Sequence, residues 1–469
     1  MTTKLEFHLG KPMTVSAVLA FGTVAFFHLA NATPWMAPLI FGYLLSLFEL
    51  SRRLSPRAAF YTGTAIGMGV FAPQLYFFFT IFHAAAIPLW LVLALWIGLF
   101  LLLASYCHRH FPITMTAVAV PLLWLGFEFF RSELYFLKFS WLNVGFTFSQ
   151  TAFASSLGWL GVYGIGFILM LLIGLSSILE PKPRHRWLVL STLIITIITV
   201  LPRGRPESSP DQSHLPRLAG VQLEFPSEPE VRFALADLVR RHPDFDIAVL
   251  SEYTFDGPVP KRVTDWCRQH QKYLVVGGKE LLPDGTFYNT AFVIGPDGKT
   301  VFQQAKSVPI QFFNDGRPAP QRQLWESPWG KIGLCVCYDL SYRKVIDDLV
   351  GQGAQAIIVP TMDVIEWGRH QHDLHSKVAP MRAAELGVPI FRVCSSGISQ
   401  AVDRRGRVIA TAPFPGQGHT LFATITPVTS GNRPIDHWLG PVASAFSMAA
   451  LVYFLILRPC LIRRFPNLI

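Results

Sequence analysis

Gly330–Asp339 reads GKIGLCVCYD, an apolar, strand-like run that closes on Cys337-Tyr338-Asp339, and the helix-like RKVIDDLVGQG follows from Arg343. A strand ending there with a helix beyond it puts Cys337 at a strand-to-helix turn, near the positive end of a helix dipole, where a thiolate is stabilised. A cysteine in an apolar run is more often a small core residue, so its neighbours decide. Two upstream segments end in a comparable way. LSEYT (Leu250–Thr254) closes an apolar strand on Glu252, and an acid in that place is solvated, paired or functional. The strand-like VFQQ is followed by AKSVP (Ala305–Pro309), which carries Lys306. A thiol needs an adjacent carboxylate to take its proton, which suits Glu252. A tetrahedral intermediate needs fixed positive charge, which suits Lys306 together with the amide after Cys337.

Outward from these segments, short β-rich runs alternate with helix-like ones from RLAGVQL at Arg217 to HTLFATITPV at His419, with Pro-Asp-Gly and Arg-Arg-Gly hairpin signals. That pattern predicts a mixed α/β sandwich of roughly 220 residues in one domain. A polar linker precedes it, RGRPESSPDQSHLP (Arg203–Pro216), too poor in apolar residues to fold alone.

The rest of the chain is apolar. Seven stretches precede Arg203, about Pro12 to Ala32, Trp35 to Leu50, Ala58 to Phe82, Ala84 to Cys107, Ile113 to Phe130, Leu157 to Leu179 and Trp187 to Leu201; an eighth runs from His437 to Leu457. Most approach the roughly 20 residues that cross a bilayer. With 51% hydrophobic and 15% charged residues, the 469-residue chain reads as a membrane protein. The expected division is 1–202 as a seven-span bundle, 203–216 as linker, 217–436 as the α/β domain, and 437–469 as a last span and tail.

Basic residues flank alternate ends of these stretches: Lys4 and Lys11, then Arg52, Arg53 and Arg57, Arg109, Lys182 to Arg186, and Arg458 to Arg464. This bias puts both termini in the cytoplasm and the α/β domain outside it. It also accounts for the net charge of +10 without a nucleic-acid surface. Six cysteines without a CxxC spacing signal neither a disulfide framework nor a zinc site. RHQHDLH (Arg369–His375) has a spacing able to hold metal, but no metal is expected there.

The order Glu252, Lys306, Cys337, each at a strand end, resembles the nitrilase (carbon-nitrogen hydrolase) superfamily, whose fold is an αββα sandwich and whose three side chains converge. PLLWLGFEFFR (Pro121–Arg131), SWLNVG (Ser140–Gly145) and GWLGVYGIG (Gly158–Gly166) are similar to the membrane signature of bacterial apolipoprotein N-acyltransferases. AGVQLEF (Ala219–Phe225), YNTAFV (Tyr288–Val293), HSKVAPMRAAELGVPIFR (His375–Arg392) and SGISQAVDRRGRV (Ser396–Val408) are similar to that family as well.

The resemblance implies two acyl-transfer steps without a cofactor. A phospholipid acylates Cys337, and the α-amine of a diacylglyceryl-cysteine at an apolipoprotein N-terminus takes the chain by ping-pong kinetics. A monomer is expected. The surrounding membrane spans, with Phe312, Phe313, Trp367 and Phe414, are expected to line or cap a lipid-filled entrance. Three departures bear on substrate preference. The family's VPFGE is VPIQFFNDG here (Val308–Gly316), with Asp315 the candidate replacement for its Glu; Val231 stands where a Trp is usual; and Cys-Tyr-Glu has become Cys-Tyr-Asp. A membrane-tethered amidase, or an acyltransferase for another amine, is the alternative. Among the remaining features, Cys335 is read as packing, Glu128 and Arg131 as an ion pair or a headgroup site, and Trp141, Phe146 and Phe148 as interfacial anchors.

Overall fold

The computed structural model describes residues 11–151, 153–179 and 215–460. Among them, six helical runs are long and apolar enough to cross a membrane: Thr14–Ala32, Pro34–Arg53, Phe77–His110, Ile113–Leu134, Ser156–Ile178 and Asp436–Cys460. The expected stretch Trp187 to Leu201 lies outside the described residues, as does nearly all of the linker.

The helices of the bundle are α1 (Lys11–Ala32), α2 (Ile40–Arg53), α3 (Pro56–Gln74), the short α4 (Phe77–Phe82), α5 (Ala86–His110), α6 (Ile113–Phe129) and α7 (Ala154–Leu179). The stretch expected to run unbroken from Ala58 to Phe82 is therefore two helices. Pro73 explains the break: it has no N–H for the carbonyl of Gly69, which instead accepts a hydrogen bond from His28 Nε2 at 2.9 Å. The chain turns at Leu75–Tyr76, and α4 leads through His83–Ala85 into α5. Small residues let α3 lie flush on α5: a Cβ on Gly67 would stand 2.5 Å from Ala94 Cα.

The α/β domain has two six-stranded sheets. One is built from β1 (Arg217–Val221), β2 (Ile247–Val249), β3 (Tyr273–Leu281), β4 (Phe287–Ile294), β5 (Thr300–Ala305) and β12 (Thr420–Thr424), in the order β12-β1-β2-β3-β4-β5. The other is built from β6 (Leu324–Ser327), β7 (Gly330–Leu334), β8 (Ala356–Thr361), β9 (Ile390–Cys394), β10 (Ser399–Val402) and β11 (Val408–Ala412), in the order β11-β10-β9-β8-β7-β6. Alternation along the strands builds both sides of each sheet. Ile247, Val249 and Val275 meet Ile332, Leu334 and Ile358 between the sheets. Ala248, Val276 and Leu250 face outward and pack on α8 (Glu228–Arg241) and α9 (Lys261–His270). The α/β sandwich expected from the sequence is present.

The outer helices of the second sheet are α10 (Arg343–Gly351) and α12 (Val378–Leu386), with α11 (Arg369–Ser376) before the latter. Their apolar faces join one continuous core with the bundle. Buried charges lock this junction. Arg343 pairs with Asp347 at 3.1 Å, with Glu385 at 3.7 Å, and with Asp436 at the start of α13 (Asp436–Val452). Arg382 pairs with Glu385 and, at 3.7 Å, with Glu133 beyond α6. Buried ion pairs contribute little net stability but are costly to break, so they fix one docking geometry.

Candidate active site

The parallel strands β2, β7 and β8 place their carboxyl ends together, and the loops beyond them carry the site. Glu252 follows β2. It packs tightly against β3, where a Cβ on Gly277 would stand 2.5 Å from Glu252 Cα, so a side chain is excluded there. Both of its oxygens are occupied. Oε1 accepts from Lys306 Nζ at 2.9 Å and from Asn289 Nδ2 at 2.6 Å, and Oε2 accepts from the Met362 N–H at 2.8 Å.

Lys306 follows β5 and is fully buried. Its ammonium touches a second carboxylate, Asp315 Oδ2, at 2.7 Å. Burial alone would lower the Lys306 pKa; Glu252 and Asp315 together outweigh it and hold the pKa well above the ordinary lysine range. Burial likewise opposes ionisation of Asp315, yet Lys306 keeps that carboxyl below its usual value. The acid that the motif VPIQFFNDG seemed to lack is supplied by Asp315. Asp315 also accepts from Tyr253 Oη at 2.7 Å, Asn289 Nδ2 at 2.8 Å and the Ile310 N–H at 2.7 Å.

Cys337 is buried, with φ at +51°, in the left-handed region that non-glycine residues seldom adopt. A short 3-10 turn, Cys337–Ser341, lies between the strand and α10, which begins at Arg343 as expected. The resting thiolate expected from a helix dipole is not what the surroundings favour. Burial first, and then the Glu252 carboxylate, push the Cys337 thiol well above its ordinary range, while Lys306 pulls it down. The sulfhydryl donates toward Met362 O at 3.6 Å. The structure brings Glu252, Lys306 and Cys337 into one buried cluster.

Several residues of the site had no contact or role assigned from the sequence. Asp339, the changed third residue of Cys-Tyr-Asp, accepts from the N–H groups of Ser307 at 2.9 Å, Val308 at 2.7 Å and Val336 at 3.2 Å. It ties the loop after Lys306 to the Cys337 turn. Asn289, within YNTAFV, bridges Glu252 and Asp315. Asp363 follows β8 and accepts from His375 Nδ1 and Arg392 Nη2, both at 2.7 Å. The signal for Asp363 was an acid at a third strand end, the feature that drew attention to Glu252.

Cys337 opens onto an apolar cavity whose empty space, counted out through its open mouth, is about 860 Å³. Helices α4 and α5 supply one wall, through Phe78, Phe82 and Leu93, and the α/β domain supplies the other. Phe82 meets Phe312 and Phe313 edge-on at 6.1 and 5.7 Å, and Phe313 meets Trp367 at 6.4 Å. Of the four aromatics expected at the entrance, Phe312, Phe313 and Trp367 line this cavity. Phe414 instead stacks on His372, with centroids 4.2 Å apart.

Other expectations change. Trp141, Phe146 and Phe148 are buried rather than interfacial, and Trp141 lines the cavity and donates to Ser341 Oγ at 2.8 Å. Glu128 accepts from the Val144 N–H at 2.8 Å, and Arg131 donates to Phe139 O at 3.2 Å and to Asn143 Oδ1 at 2.5 Å. These two side chains pin the Phe139–Val144 loop from within the bundle. Cys335 is buried in the core beneath the site. RHQHDLH is the helix α11, and no group of three or more metal-binding side chains forms among the described residues.

The chain thus joins a helical bundle apolar enough to span a bilayer to an α/β sandwich that buries a Cys, Glu and Lys cluster. A family model for carbon-nitrogen hydrolases matches residues 233–433, and one for the apolipoprotein N-acyltransferase N-terminal domain matches residues 16–175. Bacterial relatives match across both parts. The apolipoprotein N-acyltransferase of Vibrio vulnificus is 26% identical, covering 94% of this chain and 95% of its own, and that of Shewanella oneidensis is 24% identical, covering 82% and 85%. Among solved structures, Saccharomyces cerevisiae Nit3, a member of branch 10 of the nitrilase superfamily, is 21% identical with a TM-score of 0.40, covering 47% of this chain and 94% of its own. Over both of its parts the chain is similar to apolipoprotein N-acyltransferases, as its motifs implied.

Proposed function

We propose that this protein moves an acyl chain from a membrane phospholipid to Cys337, and from there to the N-terminal α-amine of a diacylglyceryl-cysteine in an apolipoprotein. The observation that carries this reading is the apolar cavity: its walls come from α4 and α5 as well as from the α/β domain, and Cys337 lies on it. An acyl ester resting in the bilayer reaches the sulfur without drawing its chain through water. The names of the bacterial relatives support the same reaction.

Glu252 takes the thiol proton as Cys337 Sγ attacks the ester carbonyl, and Lys306 stabilises the oxyanion. Collapse of the intermediate releases lysophospholipid, which leaves with the proton from Glu252. The acceptor amine then attacks the thioester: a C–N bond forms, the C–S bond breaks, and the amine proton returns through Glu252 to sulfur. Asp315 keeps Lys306 charged and in place. No step calls for a cofactor.

The division at 202/203, 216/217 and 436/437 fits this reading, as do eight spans in all, both termini in the cytoplasm and an α/β domain on the periplasmic side of the inner membrane. The Lys and Arg bias supports that orientation, with Arg52 and Arg53 closing α2 and Arg109 near the end of α5. We take the acting unit to be a monomer. In detergent with phospholipid and a diacylglyceryl-cysteinyl peptide, the protein should make N-acylated peptide and lysophospholipid in equal amounts. Release of free fatty acid at a rate the peptide does not alter would instead favour a tethered hydrolase.

A further inference from the structure

Gln371 and His375 lie one turn apart on α11, both are buried, and both line the cavity onto which Cys337 opens. One oxygen orients them both. Asp363 Oδ1 accepts from His375 Nδ1 at 2.7 Å and from Gln371 Nε2 at 3.2 Å. Arg392 holds the other oxygen, Oδ2, at 2.7 Å. With the donor end of each side chain spent on Asp363, an acceptor remains on each: Oε1 of Gln371 and Nε2 of His375. Among the described residues neither atom has a hydrogen-bond partner, and both are buried. The His375 ring is further fixed by stacking on Trp141, with centroids 4.6 Å apart and planes 17° from parallel. Burial lowers the His375 pKa to about 4, which leaves Nε2 unprotonated near neutral pH.

Two buried acceptors without donors carry a standing cost that a ligand with two N–H bonds removes. A fatty acyl chain or an ester carbonyl offers no donor, and water offers two but would also be a competing nucleophile. We propose that Gln371 and His375, oriented by Asp363, bind the N–H groups of the primary amine acceptor and set its lone pair toward the Cys337 thioester. This rests on the acyl-transfer reading above. It makes the pair positioning residues for the second step, distinct from the Glu252, Lys306 and Cys337 cluster that serves both steps.

The test separates the two half-reactions. Purified full-length protein is acylated with phospholipid, the adduct on Cys337 is followed by intact mass, and a diacylglyceryl-cysteinyl peptide is added. Gln371→Met and His375→Phe keep size and stacking but remove the acceptors. Each should raise the KM for the peptide at least about tenfold, while acylation slows less than about threefold. The accumulated adduct also reports that the variant is folded. A wild-type measurement guards against variants that do not fold: a peptide whose α-amine is replaced by hydrogen should compete at least about tenfold more weakly than the amine. A peptide KM within twofold of wild type in both variants, or equal competition by the amine-less peptide, overturns the proposal. Absence of any adduct in the wild type would instead overturn the acyl-transfer reading on which it rests.

Discussion

Asp315 Oδ2 lies 2.7 Å from Lys306 Nζ, with both side chains buried, so this lysine is shared between two carboxylates rather than paired with Glu252 alone. Removing one member of a buried ion set costs about 3–5 kcal/mol. Asp315→Ala should therefore destabilise the protein and, by loosening Lys306, slow acylation of Cys337 by about a hundredfold. Asp315→Asn, which keeps an acceptor for Tyr253, should be the more stable of the two variants. Wild-type rates of lysophospholipid release in Asp315→Ala would remove Asp315 from the site.

The two cysteines two residues apart should behave differently. Cys337→Ser should lower turnover by at least about a thousandfold, as loss of a nucleophile does elsewhere. Cys335→Ser places a hydroxyl in the apolar core beneath the site and should cost stability, of order 1–3 kcal/mol, while a folded fraction stays active. Activity per folded molecule, with folding read by thermal unfolding, separates the cases. An active Cys337→Ser protein would contradict the assignment.

His375 gives the protein an acid-sensitive element. Its folded pKa, about 4, lies below the ordinary 6.5, chiefly because burial disfavours the imidazolium. Between those values the unfolded chain binds a proton that the folded protein refuses, so stability from this residue is complete above pH 6.5 and is lost as the pH falls toward 4. The whole effect is on the order of 3 kcal/mol. His375→Phe should flatten that part of the profile of unfolding temperature against pH in detergent. An unchanged slope between pH 7 and 5 would show that His375 is not the group responsible.

The contact of α3 with α5 leaves no room for a side chain at Gly67. A side chain at Gly67 would drive into Ala94, and overpacking of this kind costs about 1–3 kcal/mol or more. Gly67→Leu should lower the unfolding temperature in detergent and displace α5, one wall of the cavity, so activity should fall with stability. A Gly67→Leu protein as stable as wild type would show that the helices are not packed this closely.

The cluster of Glu252, Lys306 and Cys337 was legible in the sequence because each residue ends a strand, and strand ends in a parallel arrangement converge. What escaped notice was set by contacts between distant segments. Asp315 reaches Lys306 because the Ile310 N–H and Tyr253 hold its loop inward, and spacing alone gave no more than a candidate. Trp141 has the sequence profile of an interfacial anchor, yet it is buried because Ser341 and His375 meet it from the α/β domain. The break between α3 and α4 did carry a signal, Pro73, hidden within a long apolar run. Phe414 was grouped with the entrance aromatics on the family resemblance, but its ring lies on His372 instead.

The most direct test of the central claim is a single-turnover experiment with phospholipid and no amine. Intact mass and peptide mapping should find one acyl chain on Cys337, with about one equivalent of lysophospholipid released before the reaction stops. Adding a diacylglyceryl-cysteinyl peptide should clear the adduct and yield the N-acylated peptide. Steady release of free fatty acid without an acceptor, or an acyl chain found on a residue other than Cys337, would contradict it.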